Sequence, residues 1–335
     1  MKKQLLILGI LIISITSFAQ SSNEDFKPNG KAHFDVFWNY HADLSEGATK
    51  KSAFELTRSY LGYGYNFSEN ISAKVTFDVG NNDEGSAYTA YLKTAQLDWK
   101  VSSGVKLSMG LIGMKQFKDQ ESFWGYRYIF KSFQDQNGFG SSADLGVNAE
   151  FKLRKNLKAN FVVFNGEGYK NIQDADGNHK IGGSLIYTPI KDLTTKIYAD
   201  SQPSTDSDAI TTLSFFAGYD ASDWRLGAEY NKLSNGKKYS SPAQDHNLDG
   251  LSFYSTYVIS EKVEIFGRFD QLSSNTLTGE SEAWNMAKDG NQIIAGIQVA
   301  PVKGLKFSLN YQNYSFEDSA INNKSLVYLN AQFKL

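Results

Sequence analysis

Along most of the chain, apolar and polar side chains alternate one by one. Ile71, Ala73, Val75, Phe77 and Val79 interleave with Ser72, Lys74, Thr76 and Asp78. Leu145, Val147, Ala149, Phe151 and Leu153 interleave with Gly146, Asn148, Glu150 and Lys152, and the same rhythm runs through 224–230, 263–270 and 305–312. A period of two places successive side chains on opposite faces of a strand. About 16 such segments recur, each of roughly the 9–11 residues that a tilted strand needs to cross a bilayer.

The connections are of two kinds. Short ones read "FSEN" (67–70), "VSSG" (101–104), "RKN" (154–156), "PIKD" (189–192), "DASD" (220–223), "SEK" (260–262) and "PVKG" (301–304). Longer polar stretches centre near Gly47, Asn82, Phe130, Asp174, Thr205, Tyr239, Leu277 and Ala320, so seven tight turns alternate with eight long loops. This predicts an all-β fold: a transmembrane antiparallel β-barrel of about 16 strands, with short periplasmic turns and long external loops. A soluble sandwich has no physical reason for the asymmetry.

Three further patterns agree. Pro28, Pro189, Pro203, Pro242 and Pro301 all avoid the strand interiors, where each would delete a ladder hydrogen bond. Tyr65, Phe67, Trp99, Tyr187, Tyr219, Trp224, Tyr257 and Phe307 crowd the tight-turn ends, as an interfacial girdle requires. The last segment, "SLVYLNAQFKL" (325–335), alternates with Val327, Leu329, Ala331, Phe333 and Leu335 on one face. Pairing it with the first segment, "GKAHFDVFWNYH" (30–41), would close the barrel and remove both edges.

The opening "MKKQLLILGILIISITSFAQSS" has two lysines, an apolar run and small residues at Ser17 and Ala19, the layout of a secretory signal peptide. The expected organisation is a signal peptide over 1–19, a short periplasmic tail over 20–29 and the barrel over 30–335. The chain has no cysteine, which excludes a lipid anchor, a disulfide framework and a thiolate metal site. Without Lys2 and Lys3, 32 basic residues face 36 acids, a net charge of about −4 that argues against a nucleic-acid partner.

A barrel this wide leaves an aqueous channel. Its polar face would carry Arg58, Lys74, Asp78, Asp98, Lys106, Glu150, Lys152, Arg225, Glu229, Glu264, Arg268 and Asp270, together with Lys158, Lys196, Asp200 and Lys306. In a soluble barrel the same residues would form the solvated exterior. The third loop, 115–142, is the longest, and "ESFWGYRYIFKSFQD" (121–135) has helical spacing. A helix there puts Phe123, Tyr126, Phe130 and Phe133 on one face, against the wall. Trp124, Arg127, Tyr128 and Lys131 take the other, where Arg127 and Lys131 would meet solute at a constriction. The alternative is a helix capping the rim, with both cations merely solvated.

"DADGN" (174–178) is similar to the start of a calcium loop, but the twelfth position is Leu185 instead of Glu. It reads as an Asp- and Gly-rich turn, with a weak external calcium site left open. The histidines (His33, His41, His179, His246) are scattered without a hydrolase or zinc signature. No metal, no cofactor and no enzymatic activity are therefore expected.

Across nearly the whole chain after the signal peptide, the layout resembles the phosphate-selective porin O and P family. The stretches that carry the resemblance are "FELTRSYLGYGYNFSENISAKVTFDVG" (54–80), "YLKTAQLDWK" (91–100), "LSMGLIGMKQ" (107–116) and "SSADLGVNAEF" (141–151). They set out an Arg-containing strand, a tight turn, a strand ending near Asp78, a Tyr-Leu-x-x-Ala strand and a Gly-rich one. The resemblance implies a trimeric porin in the outer membrane of a Gram-negative bacterium, in contact with outer-membrane lipid. Anion-selective members of that family use lumen arginines and a central lysine cluster. Here Arg58, Arg127, Arg225 and Arg268 are the arginines available for such a role, and the other cations are interleaved with acids. The terminal alternation resembles the signal read by the barrel-assembly machinery, ending in Leu instead of Phe. The expected function is passive diffusion of small hydrophilic solutes or ions, with anions such as phosphate an open option. The competing expectation is a plugged barrel with a binding or structural role.

Overall fold

The computed structural model describes residues 26–49, 51–80 and 88–335. The expected signal peptide, most of the expected tail and the loop segment around Asn82 lie outside the described residues. In chain order the strands are β1 (Asn29–Asp43), β2 (Ser52–Asn66), β3 (Ile71–Gly80), β4 (Thr89–Ser102), β5 (Val105–Gly113) and β6 (Ala143–Arg154). There follow β7 (Leu157–Phe164), β8 (Lys180–Tyr187), β9 (Leu193–Gln202), β10 (Ile210–Asp220), β11 (Trp224–Ser234), β12 (Gly236–Lys238) and β13 (Ser241–Pro242). The last are β14 (Leu248–Ser260), β15 (Val263–Ser274), β16 (Gly290–Val302), β17 (Leu305–Phe316) and β18 (Lys324–Lys334). All but β12 and β13, a hairpin in the sixth loop, join in one closed barrel of sixteen antiparallel strands.

The tight turns and long loops fall at opposite ends, as the alternation predicts. Closure is also as expected: β18 runs antiparallel to β1 from Asp35↔Lys334 to Asp43↔Leu326, and the Leu335 amide donates to the Phe34 carbonyl at 3.1 Å. Leu329 and Phe333 face outward in this seam, whereas Asn330 is buried on the lumen side.

The two faces are inverted relative to a soluble barrel. Phe77, Leu145, Leu213, Phe253, Ile293 and Leu309 are exposed on the outside, while Thr76, Asn148, Ser214, Ser252, Gln298 and Asn310 are buried inside. On β9 the neighbours Lys196 and Ile197 are 2% and 48% exposed. Water solvates the inside of such a barrel, so an apolar exterior is stable only in hydrocarbon. At mid-strand, Ile197→Arg is expected to cost about 2–4 kcal/mol in denaturant unfolding from lipid vesicles, by the depth rule for lipid-facing cations. A cost below 1 kcal/mol would argue that this wall does not face lipid.

Two bulges matter for the lumen. Between β3 and β4, Thr76 opposes Thr94 but Phe77 opposes Leu92, which leaves Lys93 as the extra residue. Between β1 and β2, Phe37 opposes Arg58 and Trp38 opposes Leu56, with Thr57 extra. A bulge re-aims side chains that strict alternation would send elsewhere. Buried apolar side chains do not form a central core. They gather between the third loop and the inner wall, in clusters such as Trp124, Tyr126, Tyr128, Phe216, Tyr254 and Phe266.

Candidate functional site

The third loop folds into the lumen. It begins with helix α1 (Lys118–Trp124), which ends at Gly125 in the left-handed conformation (φ 76°), and resumes with the short helix α2 (Phe133–Gln136). Glycine is required at that break: a Cβ at Gly125 would lie 2.5 Å from the Arg225 guanidinium, besides the strain of positive φ. The single helix expected over 121–135 is therefore corrected to two helices and a turn. With the helical period broken, Trp124 and Tyr128 go to the wall instead of the open face. The Trp124 indole donates to the Phe130 carbonyl at 2.9 Å, and the Tyr128 hydroxyl donates to Gln298 at 3.1 Å. Phe123, Tyr126, Phe130 and Phe133 pack on the wall as expected. Of the four residues expected to face solute, only Arg127 and Lys131 border open space.

Strand side chains fasten this loop. Arg225 donates to the Phe123 carbonyl at 2.8 Å, Lys196 to the Lys115 carbonyl at 2.7 Å and to Asp119 at 2.6 Å, and Gln134 to Ser214 at 3.0 Å. The Tyr126 hydroxyl donates to Glu264 at 2.7 Å. Arg268 makes a fork to Asp270 at 2.8 and 2.7 Å, donates to the Lys131 carbonyl at 2.7 Å and lies 4.9 Å from the Trp124 ring centre. Arg225, Glu264, Arg268 and Asp270 all face inward, as expected from alternation, but the first three bind the loop and Asp270 is taken up by Arg268. Glu229 is buried in the same layer, where it accepts from Asn231.

The loop leaves several spaces in the lumen, neighbours of which share lining residues. At the loop end, a chamber of about 530 Å³ is lined by four lysines and no carboxylate. The next space shares Gly138 and Lys238 with it and carries five Lys or Arg against two carboxylates. The central space shares Arg127 with that one and carries six against two: Lys74, Lys93, Lys118, Arg127, Lys306 and Lys334 against Asp35 and Glu121. The turn-side mouth shares Lys118 and again carries six against two, including Lys106, Lys152 and Glu150.

Several inward carboxylates are held in local pairs, each of which also neutralises one cation. Asp78 is wholly buried, bound by Arg58 at 2.9 and 3.0 Å and by the Tyr169 hydroxyl. Asp200 is buried with Lys180 at 3.3 Å, and Asp270 with Arg268. Asp98 is occupied by Ser108, Gln96 and Lys106. The cations Lys93, Lys131 and Lys170, by contrast, form no ion pair among the described residues. Arg127 is partly buried, 3.6 Å from Glu121 and 3.3 Å from Asp135.

Several residues of this lining escape a reading by alternation. Lys93 turns inward only because of the β3/β4 bulge, and there it donates to the Tyr60 hydroxyl at 3.3 Å and stands 4.4 Å from that ring's centre. Lys170 and Tyr169 come from the fourth loop, where nothing in the sequence says that the chain dips inward. Burial, with the Arg58 charge nearby, pulls the Lys170 amine down to about 8, against about 10.4 for a free lysine. A lowered pKa on a base means charge present at pH 7 and lost by pH 9. The positive charge offered to the lumen is thus expected to fall across that interval, seen as a shift of the zero-current potential under a salt gradient that is smaller in Lys170→Arg. A flat wild-type profile would show that Lys170 does not touch the ion path. The 174–178 segment is a turn closed on itself, with Asp174 and Asp176 accepting from the amides of Asp176 and Asn178.

An inward-folded third loop in a polar lumen, inside a sixteen-stranded barrel with an apolar girdle, defines a porin-type fold. No protein-family model and no curated protein sequence matches the chain. Solved structures do. The chain is similar to OmpF of Salmonella typhi (TM-score 0.69, 11% identity, covering 91% of this chain and 97% of that one). It is similar to the outer-membrane channel DcaP of Acinetobacter baumannii (0.69, 12%, 95% and 100%) and to an anion-selective porin from Comamonas acidovorans (0.64, 12%, 92% and 100%). At these identities the likeness is one of fold.

Proposed function

We propose that the protein is an outer-membrane porin passing small hydrophilic solutes by diffusion, with a preference for anions. The observation that carries this reading is the charge of the residues lining the lumen spaces. Each is lined by more cations than carboxylates, although the whole chain has a formal charge of −2. Fixed cations in a narrow, poorly screened passage raise the local concentration of anions and exclude cations. Phosphate is among the solutes that such a lining admits, in keeping with the resemblance in the N-terminal strands. The long loops then face outside the cell and the tight turns the periplasm. The apolar exterior contacts outer-membrane lipid, and part of it serves a homotrimer contact. The terminal Val327 to Leu335 alternation addresses the chain to the assembly machinery. Arg127 and Lys131 form the constriction with Lys93, and Arg58, Lys74, Lys106 and Lys152 line the path above and below it.

The test is single-channel recording of the folded protein in planar bilayers under a salt gradient. Stable open steps with a reversal potential of anionic sign are expected. A folded, heat-modifiable barrel without conductance would instead indicate that the third loop plugs it.

A further inference from the structure

The loop-side chamber differs from the other three spaces in having no carboxylate and in its number of amides, three glutamines against Gln332 alone in the central space. It brings together three kinds of chemistry. Lys237, Lys238, Lys288 and Lys324 are exposed and, among the described residues, form no ion pair. Gln136, Gln292 and Gln312 supply amides, and the first two side chains make no hydrogen bond among the described residues. Tyr314, Phe316 and Tyr328 supply ring surface, with the first two rings 4.5 Å apart and the Lys324 amine 5.6 Å from the Phe316 centre.

Each kind of group selects a different part of a solute. Lysines recognise an anionic group. An amide offers a donor and an acceptor side by side, which suits a hydroxyl, itself both donor and acceptor. An inorganic phosphate dianion has essentially acceptors alone and leaves the amide oxygens unused. Ring faces cover the C–H surface of a sugar and add nothing for a small, fully hydrated ion. By contrast, the turn-side mouth sets six basic residues around a single amide, Asn160.

We infer that this chamber captures hydroxylated organic anions of the sugar-phosphate type before they reach the constriction. Its 530 Å³ falls in the usual range for small-molecule sites, roughly 300–1,000 Å³. The inference rests on the anion-preferring reading above and deepens it by naming a solute class.

The test adds glucose 6-phosphate, inorganic phosphate or glucose, at matched ionic strength, to the loop side of single channels in planar bilayers. Glucose 6-phosphate is expected to halve the chloride current at a concentration about tenfold below that needed with inorganic phosphate, a difference of one good hydrogen-bonded contact. Glucose alone leaves the current unchanged. Lys288→Gln with Lys324→Gln, both exposed and without an ion pair among the described residues, weakens both anions. Gln292→Leu brings glucose 6-phosphate to the level of inorganic phosphate. Equal block by the two anions, in a channel whose reversal potential is still anionic, would overturn the chamber assignment and leave the porin reading intact. Block by glucose equal to that by its phosphate would overturn the role of the lysines, and with it the assignment. A cationic reversal potential would overturn the anion reading itself.

Discussion

Replacing Arg127 by Glu is expected to reduce the anion-to-cation permeability ratio by about tenfold or more and to move the reversal potential toward the cationic sign. Two unit charges 4 Å apart interact by about 1 kcal/mol even in bulk water, so reversing one charge changes the energy of a passing ion by about 2 kcal/mol before screening. Arg127 stands where this matters most, because it borders both the central space and the one above it. Its removal also frees Glu121 and Asp135, now 3.6 and 3.3 Å from the guanidinium, and the Glu makes a third carboxylate. Lys93→Met, which deletes one charge from the facing wall, is expected to act in the same direction with about half the effect. The readout is the reversal potential under a fixed salt gradient. An unchanged value in the Arg127 variant would mean that ions take a path away from the third loop.

Arg268→Ala should loosen the third loop. The guanidinium is almost fully buried and satisfies three acceptors at once: both oxygens of Asp270 and the Lys131 carbonyl. Truncating one partner of a buried ion pair typically costs about 3–5 kcal/mol, because the other charge is left unpaired. The Ser252 hydroxyl, 2.6 Å from Asp270, recovers only part of that loss. The expected results are a lower unfolding midpoint and a larger, noisier single-channel conductance, as residues 126–131 leave the wall. Arg268→Lys keeps the charge but not the fork, and should fall between the two. A variant with wild-type conductance and reduced stability would show that the aromatic contacts of Trp124, Tyr126 and Tyr128 hold the loop without help.

Most of the barrel is legible in the sequence because its determinants are local. Period-two patterning in 71–79 and 145–153 fixes which side chains point outward, and the contrast between "RKN" and the 28-residue stretch 115–142 separates turn side from loop side. The lumen is less legible, for three physical reasons. Alternation places Arg58 and Arg268 on the same face, yet whether an inward charge meets water or protein depends on the path of the third loop, which strand periodicity does not encode. Trp124 and Tyr128 were expected on the open face because helical spacing was carried through Gly125, where the backbone turns left-handed. Lys93 escaped because a bulge breaks the period on which alternation depends. The positive lining is also hidden from any count of charges, since acids that balance it lie exposed in the loops, among them Asp174, Asp176, Asp206, Glu280 and Glu317.

The seam between β1 and β18 has a consequence for how the molecule comes into being. Asp35 and Gln332 touch across it although they are 297 positions apart along the chain. Every other neighbouring pair of barrel strands can form as a hairpin, but this pair must wait for all the rest. Loop-closure entropy makes joining ends that far apart about 4 kcal/mol costlier than closing a short hairpin. Until the seam forms, two bare ladder edges are open to pairing with another chain. Assembly therefore has to keep the two edges of the nearly complete sheet away from other chains until they meet. Once they meet, no edge remains from which the structure can fray. Dismantling the barrel means parting a whole ladder at once, which makes lifetime, more than equilibrium stability, the quantity that this architecture protects.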